Sequence, residues 1–292
     1  MKFLVMIKES TSMFMATMRE HNGIRQTFTA VNDLERKAAE MRLLSLRAIS
    51  KAGISGMGEA MSVVELLCAL YFGQLAGRAV MEDGDYFVLG KGDAAPVLYG
   101  VLANAGFFDV GELDFLAKEG AMLAMKQGDK IPGVSFVDFV GGQGLSVALG
   151  MALALKAERK NGRVYVLLDH SDFENGQVFE AMMMASEHRL DNLVCVVDDN
   201  RPGFDAMIYD KLSAFGFSLV RVMNGHNFEE VLNGFSRSFT TVRRPVCLWC
   251  KTVLAKGVDF AEGKQSYARS FFSAGEFGAI EGKFKQILNG GL

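Results

Sequence analysis

Apolar and polar positions along this chain switch between two periods. Short continuous runs of apolar residues, many of them β-branched, occur at YFVL (86–89), VYVLL (164–168), LVCVV (193–197), SLVRV (218–222) and VCLWC (246–250). Their length and continuity predict strands buried on both faces of a sheet. Between them the pattern is helical. A helix signal opens at Asn32, with Glu35 three residues on as its capping-box partner, and runs through LERKAAEMRLLSLRAIS. Gly53, Gly56 and Gly58 break it into a loop, and Ser62 restarts a helix through VVELLCALYF. Gln143 to Glu158 carries small and apolar residues on all sides, which predicts a buried helix.

Strands that alternate with helices predict an α/β fold, doubly wound, with a mostly parallel sheet and helices on both faces. Residues 1–30 lack periodicity and read as an N-terminal arm; residues 31–292 read as a single α/β domain. Ligands of such sheets lie beyond the carboxyl ends of the strands, so the turns after Leu168 and Val197 are the first places to look for chemistry.

Composition narrows the function. The chain has 292 residues, half of them apolar and 22% charged, which is ordinary globular usage and enough to bury a full core. A net charge of −3 gives no reason to expect nucleic acid or an anionic membrane as partner. Cys68, Cys195, Cys247 and Cys250 all sit in apolar runs and read as buried free thiols. Cys247 and Cys250 form a C-x-x-C within a strand-like run, with no second Cys or His pair at zinc-site spacing. The opening MKFLVMI is too short for a signal peptide and no stretch reaches membrane-spanning length, so a cytoplasmic protein is expected.

Six segments now stand in a telling order: GISGMGEAMSVVELLCALYF, GKGDAAPVLYG, IPGVSFVDFVGGQGLSVALGMALALK, VYVLLDHSDFENGQVFEA, LDNLVCVVDDN and KTVLAKGV. Together they resemble the N-terminal, thiamine diphosphate-binding domain of the transketolase family, over roughly residues 35–265. The resemblance implies the thiamine diphosphate-binding fold and a cofactor held with a divalent metal, Mg²⁺ or Mn²⁺. It also implies a separate C-terminal transketolase-like chain as partner, in a heteromer that includes a homodimer of this chain. The Met- and Phe-rich composition fits a protein that covers apolar interface.

The family's cofactor signature is Gly-Asp-Gly followed further along by an Asn. The carboxylate and the Asn oxygen hold a hard cation, and the glycines let backbone approach the phosphates. Here the triplet is Asp169-His170-Ser171 and the Asn is Asn200. By resemblance the cofactor-binding set is Asp169, His170, Ser171, Asn200, Gly142, Gln143, Gly144 and Gly56. One reading is a rebuilt metal site from His170, Asn200 and the Pro202 carbonyl, since imidazole suits Zn²⁺ or Mn²⁺ better than Mg²⁺. The other is that the metal is gone and His170 lines a pocket. Further departures are Gly56 for a His and Glu59 for a Gly in Gly-His-x-Gly-Gly, and Asp93 for the His of Ser-Lys-Gly-His. Asp138 stands where Thr-Gly-Ser-Leu begins, Asp172 replaces the Glu after the triplet, and a late His falls at Tyr267-Ala268. Glu59, as a charged loop residue, reads as solvated. His226 reads as structural capping ahead of a helix.

Three functions follow from the resemblance. The first is the N-terminal half of a split transketolase, transferring ketol or acyl units between sugar-like substrates with its partner chain. The second is a catalytically degenerate structural or regulatory subunit without cofactor. The third is a cofactor-independent enzyme reusing the cleft, with His170, Asp172 and Asp93 as catalytic acid–base candidates.

Overall fold

Every apolar run forms a strand. In the computed structural model, which describes residues 31–75, 84–126, 130–203, 206–271 and 273–290, helix α1 (Val31–Ala52) is followed by α2 (Met57–Met61) and α3 (Val64–Cys68). A π-helical turn, Ala69–Gln74, continues α3; then come β1 (Tyr86–Leu89), α4 (Ala95–Asn104), β2 (Phe136–Val137) and α5 (Gly144–Ala157). The second half alternates as β3 (Val164–Asp169), α6 (Gly176–Glu187), β4 (Leu193–Asp199), α7 (Ala206–Ala214), β5 (Ser218–Val222), α8 (Phe228–Thr240) and β6 (Val246–Lys251). Helix α9 (Ala274–Gly290) closes the series. The expected arm, residues 1–30, lies outside the described residues.

The sheet has six strands in the order β2-β1-β3-β4-β6-β5, and every pair is parallel. Strands β1, β3, β4 and β6 are buried on both sides, as continuous apolar runs require. On one face Tyr165, Leu167, Val194 and Val196 pack with α1 to α4, α8 and α9. On the other, Val164, Val166, Leu168, Cys195 and Val197 pack with α5, α6 and α7. This is the doubly wound α/β architecture. All four cysteines are buried free thiols.

Several local expectations need correction. The helix expected from Ser62 is α3 with its π-helical turn and begins at Val64; the short α2 ahead of it was not expected, and Ser62 ends that helix with its hydroxyl 2.8 Å from the Glu59 carbonyl. Asn32 lies inside α1 rather than ahead of it. The two-residue β2 was not legible, being too short to carry a pattern. β5 is an edge strand, with Arg221 exposed over the Tyr209 ring at 4.1 Å, so SLVRV is not buried on both faces. Helix α5 buries only Gly144, Leu145, Ala148, Ala152 and Leu155; Gly150 and Ala154 are exposed and Val147, Leu149, Met151 and Leu153 half-buried.

Candidate active-site cleft

β1 is where the winding reverses, because β2 lies on one side of it and β3 on the other. A crevice forms beyond the carboxyl ends of strands at such a point. Here it is a cavity of about 600 Å³, lined among others by Lys91, Asp93, Asp138, Asp169, His170 and Asp172. Backbone geometry sets its floor. A Cβ on Gly144 would stand 2.6 Å from the Gly90 Cα, so the start of α5 touches the end of β1 only because both residues are glycine.

The centre of the cleft is an ion cluster. Lys91 follows β1 and its side chain is almost fully buried, with Nζ 2.5 Å from Asp198 Oδ2, 2.6 Å from Glu59 Oε2 and 2.8 Å from Asp169 Oδ2. Asp169 ends β3 and pairs in register with Asp198, the last residue but one of β4, which delivers two carboxylates to one point. Burial alone would pull the ammonium down, but Asp198, Asp169 and Glu59 outweigh it and hold Lys91 well above the ordinary lysine range. Asp169 answers in kind: burial pushes its carboxyl up, yet Lys91 and then His170 hold it well below the usual carboxylate range. Ser62 Oγ donates to Asp198 Oδ2 at 2.7 Å, Thr252 Oγ1 donates to Asp198 Oδ1, and the Asn200 amide donates to Glu59 Oε2 at 2.8 Å. Glu59 is therefore not solvated; it is one wall of this cluster.

Two further carboxylates turn backbone donors inward. Asp138 is buried and accepts four N–H groups, from Val140 (3.0 Å), Gly141 (2.9 Å), Gln143 (2.7 Å) and Gly144 (3.0 Å). The last two open α5, so the positive end of that helix is already matched by an in-chain anion. Asp172 accepts Gly142 N–H at Oδ1 (3.0 Å) and Asp169 N–H at Oδ2 (2.8 Å). Burial drives its carboxyl up to about 6 against the pull of those two donors, and the negative charges of Asp169 and Asp138 add to the rise.

The remaining candidate residues scatter. His170 lines the cavity, its Nδ1 3.3 Å from Asp169 Oδ1. Asp93 lies at the mouth, 41% exposed, with Arg269 3.4 Å away. Gly56, at φ +96°, sits beside Asp93, whose Oδ1 a Cβ there would approach to 3.8 Å. Ser171 donates its N–H to Asp169 Oδ1 at 2.8 Å. Pro202 is exposed. Among the described residues the carboxylates that converge closely enough to share a cation are Glu59, Asp169 and Asp198, a set without His170. His226 is not a helix cap, since the Asn227 side chain caps α8. Its ring bridges Glu65 (2.8 Å from Nδ1) and the Val253 N–H (2.8 Å to Nε2), behind the buried Arg42–Glu65 pair.

A family model described as the transketolase thiamine diphosphate binding domain matches residues 34–283. The chain belongs to this transketolase family. It is 32% identical over 245 residues to the 6-deoxy-6-sulfo-D-fructose transketolase subunit SqwG of Clostridium sp. (strain MSTE9), covering 80% of this chain and 89% of that one. With an apulose-4-phosphate transketolase subunit of Phocaeicola vulgatus it shares 29% over 245 residues, 80% of this chain and 87% of that protein. With human transketolase it shares 34% over 265 residues, but spans only 41% of that longer chain. The fold agrees with the transketolase from Leishmania mexicana at a TM-score of 0.77 and 19% identity, over 88% of this chain and 42% of the other. In transketolase-family terms, the residues that motif reasoning passed over are Lys91 and Asp198. Both sit inside quoted motifs, GKGD and VVDDN, and the signal that would have found them is a lysine flanked by unexplained carboxylates.

Proposed function

We propose that this chain is the N-terminal-half subunit of a two-chain transketolase-like assembly, working with a separate C-terminal-half chain in ketol or acyl transfer on sugar-like substrates. One observation supports this most: the chain spans nearly nine-tenths of two proteins named as transketolase subunits, against about two-fifths of the human enzyme. The half-exposed apolar side of α5, with Met183 and Met184 of α6 exposed at 52% and 41%, supports a chain that lives in an oligomer.

The residues present do not fit thiamine diphosphate and its metal as the family signature holds them. The metal carboxylate is an imidazole, the N–H groups of residues 140, 141, 143 and 144 are bound by Asp138, and the Ser171 N–H is bound by Asp169. A diphosphate would also face Glu59, Asp93 and Asp169. Cofactor chemistry in the assembly would have to rest on other contacts. This favours a second reading, a catalytically degenerate subunit that holds or regulates its partner. The cofactor-independent reading has less support, because both oxygens of Asp172 are engaged by backbone and Asp93 is paired with Arg269.

The test is to mix the chain with a C-terminal-half chain encoded beside it. Complex formation is followed by size exclusion, thiamine diphosphate with Mg²⁺ or Mn²⁺ by calorimetry, and ketol transfer by a coupled assay. A complex that transfers ketol units supports the first reading, and a silent complex supports the second. Absence of any complex overturns both.

A further inference from the structure

Two of the family-motif departures are not independent losses. Glu59 and Asp169 stand where the pattern has glycines, they are 110 residues apart in sequence, and their carboxylates reach the same Nζ atom within 2.8 Å. Lys91 occupies a lysine position of the family's Ser-Lys-Gly-His, and Asp198 completes the set from β4. A carboxylate placed alone among these largely buried groups would carry a heavy desolvation penalty, and so would an unpaired ammonium. Here they face one another, with Ser62 and the Asn200 amide donating to the same oxygens of Asp198 and Glu59 that Lys91 contacts and Thr252 donating to the other oxygen of Asp198.

We infer that the cation seat of this cleft is filled from within: the Lys91 ammonium is its resident cation, clamped by Glu59, Asp169 and Asp198. The inference rests on the misfit described above, but neither on the partner chain nor on ketol transfer. Three carboxylates whose oxygens lie within 4.8 Å of one another form a donor set that a divalent ion could share. What stands among them is the lysine. Lys91 thereby offsets part of the carboxylate charge of the cleft without metal or diphosphate, and the Asp138 carboxylate takes up the N–H groups of the loop that starts α5. The departures from the signature make a coordinated replacement, not a site in decay.

The experiment uses this chain alone and reads thermal unfolding and Mn²⁺ binding by electron paramagnetic resonance. Wild type is expected to show no Tm response to Mn²⁺, with or without thiamine diphosphate. Lys91→Met leaves three facing carboxylates, so its Tm should fall by roughly 10 °C. Millimolar Mn²⁺ should recover most of that loss through a single bound ion per chain. A wild-type Tm that rises with Mn²⁺ and thiamine diphosphate overturns the inference. So does a Lys91→Met Tm equal to wild type, or a fall that no divalent ion reverses. Should Lys91→Met not fold, Lys91→Met/Glu59→Gln/Asp169→Asn decides, because it removes the repulsion while keeping shape. Folding near the wild-type Tm supports the inference; continued failure overturns it. None of these readouts depends on activity, so the inference and the proposed function fail separately.

Discussion

Asp169 and Asp198 stand opposite each other in the β3–β4 register, and both carboxylates end on Lys91 Nζ, at 2.8 and 2.5 Å. They are not equal partners. Asp198 is fully buried and also binds Ser62 and Thr252, whereas Asp169 borders the cavity. Asp198→Ala should therefore cost about 3–5 kcal/mol of unfolding free energy and Asp169→Ala distinctly less. Urea titration measures both; equal losses would contradict a cluster anchored on β4.

Asp138 offers a second test. Asp138→Ala leaves four N–H groups at the head of α5 without their acceptor and should cost about 2 kcal/mol. It should also create an anion site, so that orthophosphate raises the Tm of the variant and leaves wild type unchanged. Phosphate stabilising the wild type equally would show that the loop was never occupied by its own carboxylate.

Two buried carboxyls give stability opposite slopes with pH. Asp172 is raised from 3.8 to about 6, so burial penalises its charged form. Its contribution is present below pH 3.8 and lost as pH rises through 6, about 3 kcal/mol in all. Glu65 is lowered from 4.5 to about 2, because Arg42 and then His226 outweigh the burial that pushes it up. Its contribution, also about 3 kcal/mol, is present above pH 4.5 and lost as pH falls towards 2. Urea midpoints should accordingly rise as pH falls from about 6 to about 4 and fall in stronger acid. Asp172→Asn should abolish the upper slope alone; a slope that survives this change would assign it to another group.

The apolar side of α5 and the exposed Met183 and Met184 predict self-association or a heteromer. Met183→Glu should shift the chain towards monomer in light scattering at micromolar concentration, with its Tm little changed. A wild type that is already monomeric would remove this support.

Much of the fold was legible because parallel strands buried on both faces cannot tolerate polar alternation. Runs such as VYVLL and LVCVV therefore declare themselves in one dimension. SLVRV misled because a run's composition does not say which strand lies at the sheet edge, and Arg221 escapes to solvent only there. The cleft was legible as motifs, yet its chemistry was not. Glu59 looked like any charged loop residue until α2 turned it towards Lys91, and His226 looked like a helix cap until the fold wedged it between Glu65 and Val253.

The sequence by itself determined the α/β alternation, the membership in the transketolase family and the replacement of its metal carboxylate by His170. Only the tertiary structure decided what the replacements amount to. Residues 59, 91, 169 and 198 belong to four separate segments, and ion pairing acts through distance in space, over a few ångströms in a buried crevice. No spacing along the chain encodes that distance. The register of β3 against β4 does.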